Sequence, residues 1–149
     1  MTLPEQVGSL RRTLYRLLTR RLSGRTRRPL TQLLALKFIA ARGVRTQAEL
    51  AERLLVDAPA VSRLVDRLEE DGLVKRCTGE DRRSVRLQVT EASRAELAVL
   101  EEEAQWLDDE AGRHLTPSEL SELKRLLDKL QVGLMPQGPC ATSEGESPD

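Results

Sequence analysis

Aromatic residues are nearly absent from this 149-residue chain, which has one Trp, one Tyr and one Phe, 2% of the total. Any core or interface must therefore be built from Leu, Val and Ala. Abundant Leu beside scarce β-branched residues points to a mainly helical fold. There is one histidine, His114, without Cys, His or carboxylate neighbours at metal-ligand spacing, so no metal site is expected and the residue reads as a surface histidine at a helix end. No nucleophile elbow or phosphate loop is present, and one histidine supplies little general-base chemistry, so neither an enzyme nor a cofactor is expected. Two cysteines, Cys77 and Cys140, make no disulfide framework and suit a reducing compartment. No apolar run approaches the length of a membrane span. Arg16, Arg20 and Arg21 interrupt the apolar core that an export signal beginning at Arg11-Arg12 would need. The Arg-rich, acid-poor start shares its composition with organelle transit peptides, but it also fits the architecture below, and the expected location is the cytoplasm.

Net charge is absent too, with 24 basic and 24 acidic residues, but the balance hides segregation. Residues 1–28 carry eight Arg against the single Glu5, and residues 91–149 carry five basic against fourteen acidic groups. Neutrality is therefore no argument against a polyanionic partner, because the local field governs such encounters.

The chain has the length of one domain with helical extensions. Leu3, Val7, Leu10, Leu14, Leu17 and Leu18 make a narrow apolar stripe on an amphipathic helix over 3–22, ended by Ser23-Gly24 and Pro29. Thr31 is placed to cap a second helix, Gln32 to Arg42, which is apolar almost all round and hence central, with Gly43 as its stop. Thr46-Gln47-Ala48-Glu49 reads as a capping box opening a third helix to about Leu55. Asp57-Ala58-Pro59 opens a fourth, running to Asp71 and closed by Gly72. The period then changes. Leu73 to Cys77 and Val85 to Val89 read as short strands joined by a polar loop. Thr90 is expected to cap a long helix bearing Leu97, Leu100, Ala104, Leu107, Ala111 and Leu115. Thr116-Pro117-Ser118-Glu119 is a further capping box, opening a helix with Leu120, Leu123, Leu126, Leu127 and Leu130. The Pro-, Gly- and acid-rich tail is expected to be disordered.

Val61, Leu64, Val65 and Leu68 give the fourth helix a core-facing stripe. The opposite face carries Pro59, Arg63 and Asp66, flanked by Ser62 and Arg67. Its N-terminal half is small and cationic, which suits approach to a major-groove floor, with Arg available for guanine and Ser for phosphate. Alone, such a face is an ordinary solvated surface. The capped helix and short turn before it make it the second half of a helix-turn-helix, with Thr46 and Gln47 opening the first half and joining the expected DNA contacts. Lys75, Arg76 and Arg86 on the strands and Arg82 and Arg83 in the loop make the hairpin basic. Two consecutive Arg suit a narrow minor groove, and Asp81 is expected to pair with Arg83 or Arg76 and shape the loop. The narrow stripes of the terminal helices would be buried by a second copy, which also suits two half-sites one helical turn apart.

TQAELAERLLVDAPAVSRLVDRLEEDGLVKR over 46–76 and EDRRSVRLQVTEASR over 80–94, preceded by Leu30-Thr31, resemble the MarR family of bacterial regulators over roughly 30–132. The resemblance implies a mainly α fold with a small β-wing, a winged helix-turn-helix flanked by N- and C-terminal dimerisation helices. It divides the chain into a dimerisation helix at 1–29, the DNA-binding domain at 30–90, a long helix and C-terminal dimerisation helix at 91–134, and the tail at 135–149. It also implies a homodimer that represses from a palindromic operator in double-stranded DNA. Ser62, Arg63 and Arg67 match the family's recognition-helix positions, and Asp81 with Arg83 matches its wing tip. Ser93 departs from the pattern, which usually has Gly near this strand-to-helix junction.

The same resemblance implies a crevice receptive to a small aromatic or phenolic effector, for which Tyr15, Arg16, Phe38 and Trp106 are the candidates, with Arg42 as another cation. Three aromatics packing in a Leu-rich core is the plainer reading. Cys77 follows Lys75 and Arg76, and cationic surroundings favour the thiolate, so a redox role with Cys140 as resolving partner stays open. A helical protein-interaction module is the alternative to DNA binding.

Overall fold

The computed structural model describes residues 1–78 and 85–135, which form six α-helices and one two-stranded sheet. The first helix, α1 (Leu3–Ser23), opens with a capping box that the sequence reading lacked: the Thr2 hydroxyl accepts the Glu5 N–H, and the Glu5 carboxylate accepts the Thr2 N–H at 2.7 Å. α2 (Leu30–Ala41) starts at Pro29 instead of Thr31 and has no side-chain cap. Proline supplies a fixed φ and a free carbonyl, which accepts from Gln32 N–H at 3.0 Å, so Thr31 already lies within the first turn.

In α3 (Gln47–Leu54) the Thr46 hydroxyl caps the Glu49 N–H at 3.2 Å, but the return bond goes to Arg45 N–H instead of Thr46 N–H. Half of the expected capping box therefore forms. Leu55 and Val56 make the turn into α4 (Ala58–Glu70), whose Asp57 cap accepts the Ala60 N–H at 2.8 Å. Gly72, at φ +76°, turns the chain out of α4. The strands β1 (Val74–Thr78) and β2 (Val85–Val89) pair antiparallel, with Val74 opposite Val89 and Arg76 opposite Leu87. β1 starts one residue later than expected.

After β2, Thr90 does not cap a helix. Its hydroxyl donates to the Gly72 carbonyl and its N–H to Leu73, closing the base of the hairpin. A single 3-10 turn, Glu91–Ser93, intervenes before α5 (Arg94–Ala111). Ser93 is buried and its hydroxyl donates to Thr90 O. Its φ is not positive, so no glycine is needed at this junction.

The chain divides into two compact units, residues 1–109 and 110–149. In the first, Leu36, Leu50, Val61, Val65, Leu68, Val74 and Leu87 close one core around α2, α3, α4 and the sheet. A second cluster joins Leu18 and Leu22 of α1 to Leu33 of α2 and Leu100 of α5. Leu3, Val7 and Leu10, at the other end of α1, are exposed. In the second unit α6 (Pro117–Leu134) opens with the complete Thr116–Glu119 capping box and has no buried residue. Among the described residues no helix is long and apolar enough to cross a membrane.

Candidate nucleic-acid interface

The candidate functional face of α4 is set by its core face. Val61, Val65 and Leu68 are fully buried, which fixes the rotation of the helix about its axis. Pro59, Arg63 and Arg67 are then exposed and Ser62 is half-buried. Arg63 has no ion-pair partner among the described residues, whereas Arg67 lies 3.7 Å from Asp71 in the last turn. Asp66, the one acidic group expected on this face, is compensated by Arg76 at 2.7 Å.

That pairing overturns the expected placing of Arg76 on the basic wing surface. Strand alternation puts Arg76 on the same side of β1 as the buried Val74, so its side chain turns inward to the helix pair. It pairs with Asp66 and Glu69 of α4, donates to Gln47 Oε1 of α3 at 3.1 Å and reaches the Ser62 carbonyl. Glu69 also accepts the Arg76 N–H at 3.0 Å. Arg76 therefore pins the helix-turn-helix to the wing, and Gln47 serves in holding it. Thr46 is likewise engaged as the α3 cap. The signal was legible: a cation two residues after an inward valine faces inward.

Lys75 and Arg86, on the outer side of the hairpin, are exposed. Asp81, Arg82 and Arg83 lie outside the described residues, as does Cys140. Cys77 is half-buried, opposite Arg86 in the strand register, with its thiol 3.5 Å from Gln88 Oε1.

Six of the eight N-terminal arginines fall into two groups. Arg21, Arg25 and Arg28 turn toward the acidic α5. Arg21 and Arg25 hold the buried Glu103 at 2.8 and 3.1 Å, and Arg25 also holds Glu102 at 2.7 Å. The hydrogen bond from Arg21, with Arg25 adding to it, keeps the Glu103 carboxyl below its ordinary value against the opposing effect of burial. Arg12, Arg16 and Arg20, one helical turn apart, have no acidic partner among the described residues.

The four effector candidates are not gathered in one place. Tyr15 and Arg16, with Arg20, Pro29 and Leu30, line an open groove of about 420 Å³. Arg11 stacks on Tyr15 at 4.6 Å, and Arg21 stacks on Trp106 at 4.2 Å. Phe38 packs against the α2–α3–α4 core. Arg42 ends α2 and is exposed. Among the described residues no cluster of metal-ligating side chains occurs.

A model of the MarR family matches residues 23–84. Among solved structures, a cysteine-to-serine mutant of MarR from E. coli is 28% identical, with a TM-score of 0.72 over 88% of this chain and 97% of that one. The same mutant complexed with operator DNA is also 28% identical, with a TM-score of 0.68 over 86% and 92% of the two chains. A Mycobacterium tuberculosis MarR family protein in complex with p-aminosalicylic acid shares the fold at 24% identity, with a TM-score of 0.75 over 88% and 99%. The capped helix pair and the first wing strand fall within the stretch that the MarR family model matches, and the fold is similar to that of the MarR winged-helix regulators.

Proposed function

We propose that this chain binds double-stranded DNA as a homodimer, represses transcription from a palindromic operator, and is released by a small aromatic anion. The observation that carries the DNA reading is the N-terminal face of α4. Its first turn is small, its exposed Arg63 has no competing carboxylate among the described residues, and Arg76 holds it rigidly on the wing. Such a helix end enters a major groove, where a free guanidinium pairs bidentately with guanine. Ser62 and Arg67 serve as positioning contacts to phosphate, and Asp81, Arg82 and Arg83 supply the wing's minor-groove contact. That the E. coli relative has been solved with operator DNA supports the same reading.

The exposed leucines of α6 and the exposed N-terminal half of α1 are apolar surface that a second copy would cover, and their exposure supports the dimer. The groove beside Tyr15 pairs apolar walls, Pro29 and Leu30, with two cations free of acidic partners among the described residues, which fits an aromatic carboxylate.

The test is selection of bound fragments from genomic or random DNA with the purified protein, followed by titration over a range of salt. Recovery of a palindrome whose affinity falls steeply with salt is expected. Arg63→Ala should weaken binding by about 1–3 kcal/mol and relax specificity at one base position in each half-site. Failure to enrich any sequence, with affinity insensitive to salt, would favour a protein-interaction module instead.

A further inference from the structure

We propose that Arg28, in the link between α1 and α2, is a positioning residue for DNA reading that latches the C-terminal end of α4 to the first turn of α5. The role rests on the DNA-binding reading of α4. Arg28 is mostly buried, with 21% of its side chain exposed, and three elements converge on it. Its Nη1 donates to Asp71 Oδ2 at 2.8 Å and to Gln32 Oε1 of α2 at 3.2 Å. Its Nε lies 3.3 Å from Glu96 Oε1 of α5, although that N–H is not aligned for a hydrogen bond. Its backbone N–H is fixed by Thr26 Oγ1 at 3.1 Å, and the Thr26 hydroxyl donates to the other oxygen of Glu96 at 3.3 Å.

Asp71 is the cap residue at the end of α4, and its carboxylate also lies beside Arg67. The recognition helix is thus held at two places by arginines from other elements. Arg76 fixes its middle to the wing, and Arg28 fixes its end to α2 and α5. Holding both sets the tilt of α4, and tilt decides whether its N-terminal face meets base edges. A planar guanidinium presents several donors in a fixed fork, so one Arg can bridge two carboxylates and an amide where a Lys cannot.

Because Arg28 acts through Asp71 and Glu96, its loss should affect specific binding while leaving phosphate contacts intact. Operator affinity of Arg28→Ala is expected to fall about tenfold, with affinity for random duplex and the slope of log K against log salt unchanged. In a double-mutant cycle with Asp71→Ala, the losses in operator affinity should be strongly non-additive. Arg28→Lys keeps the charge and guards against a failure of the Ala variant to fold; its affinity should lie between the two. A slope reduced by about one would make Arg28 a direct phosphate contact and overturn the proposal. Additive losses, or an Arg28→Lys variant as tight and specific as the wild type, would overturn it as well. If the wild type binds an operator and Arg28→Ala binds equally, the latch alone fails. If the wild type binds no DNA, the functional reading and the latch fail together.

Discussion

Leu55 occupies the turn between α3 and α4 with φ 56° and ψ 43°, a left-handed conformation in which Cβ crowds the following carbonyl. Gly72 and Gly43 reach positive φ without that cost, and Leu55 is the non-glycine residue that does so among the described residues. Its side chain is 73% exposed, so little packing offsets the strain. Leu55→Gly should therefore raise unfolding stability by roughly 0.5–1 kcal/mol, the relieved strain less the extra chain entropy of glycine. Urea denaturation checks this, and a loss of stability would mean that the small buried part of Leu55 matters more than its backbone. Arg76 is the contrasting residue, since its guanidinium serves Asp66, Glu69 and Gln47 together. Arg76→Ala should cost about 1–2 kcal/mol of stability, because the two exposed carboxylates rehydrate once unpaired. It should also reduce operator affinity more than Lys75→Ala on the outer face of the same strand. Equal effects of the two substitutions in a binding titration would remove the positioning role of Arg76.

The seam between α1 and α5 depends on pH through Glu103, whose carboxyl is held below 4.5 by Arg21 first and Arg25 second. A carboxyl whose folded value is depressed contributes stability above its unfolded value, and that contribution is lost as pH falls through the folded value. Asp71, held low by Arg28, acts in the same sense below its ordinary 3.8. Stability should therefore decline as pH drops below about 4.5, and Glu103→Gln should flatten that decline while lowering stability at neutral pH by about 1–2 kcal/mol. Thermal melts of both proteins at several pH values between neutral and acid are the measurement; parallel curves would show that Glu103 does not drive the dependence. The sequence announced this seam only as a bias, basic early and acidic late. Which arginine meets which glutamate depends on how the α1–α2 link folds, and local pattern does not carry that. Elements whose signals are local were legible to within a residue or two: Asp57 and Pro59 at α4, the alternation of β2, the capping box of α6. Thr31 and Thr90 misled because a threonine before an apolar run has the same local appearance whether it caps or not. At one site Pro29 supplied the start, and at the other the hairpin base claimed the hydroxyl. The direction of Arg76 followed from strand period, but its partners depended on the packing of α4 against the wing.

Across the whole molecule the apolar surface is uneven. Residues 1–109 close two Leu-rich clusters, yet Leu3, Val7 and Leu10 stay outside them, and on α6 Leu123, Leu126 and Leu127 are 38–47% exposed. Leucines at three- and four-residue spacing on a capped helix make a continuous stripe, and covering each side chain contributes up to about 1.5–3 kcal/mol. In the proposed dimer a second copy would supply matching stripes by symmetry, and two copies of α4 would then address two half-sites. Replacing Leu123 and Leu127 together by Glu puts two charges into that stripe on a helix that has no buried residue. Sedimentation should then show the variant as a monomer at concentrations where the wild type is a dimer. Operator affinity should fall by much more than affinity for a single half-site, because a monomer loses the second recognition helix and keeps the first. A dimeric variant, or equal losses on full and half operators, would place the interface elsewhere.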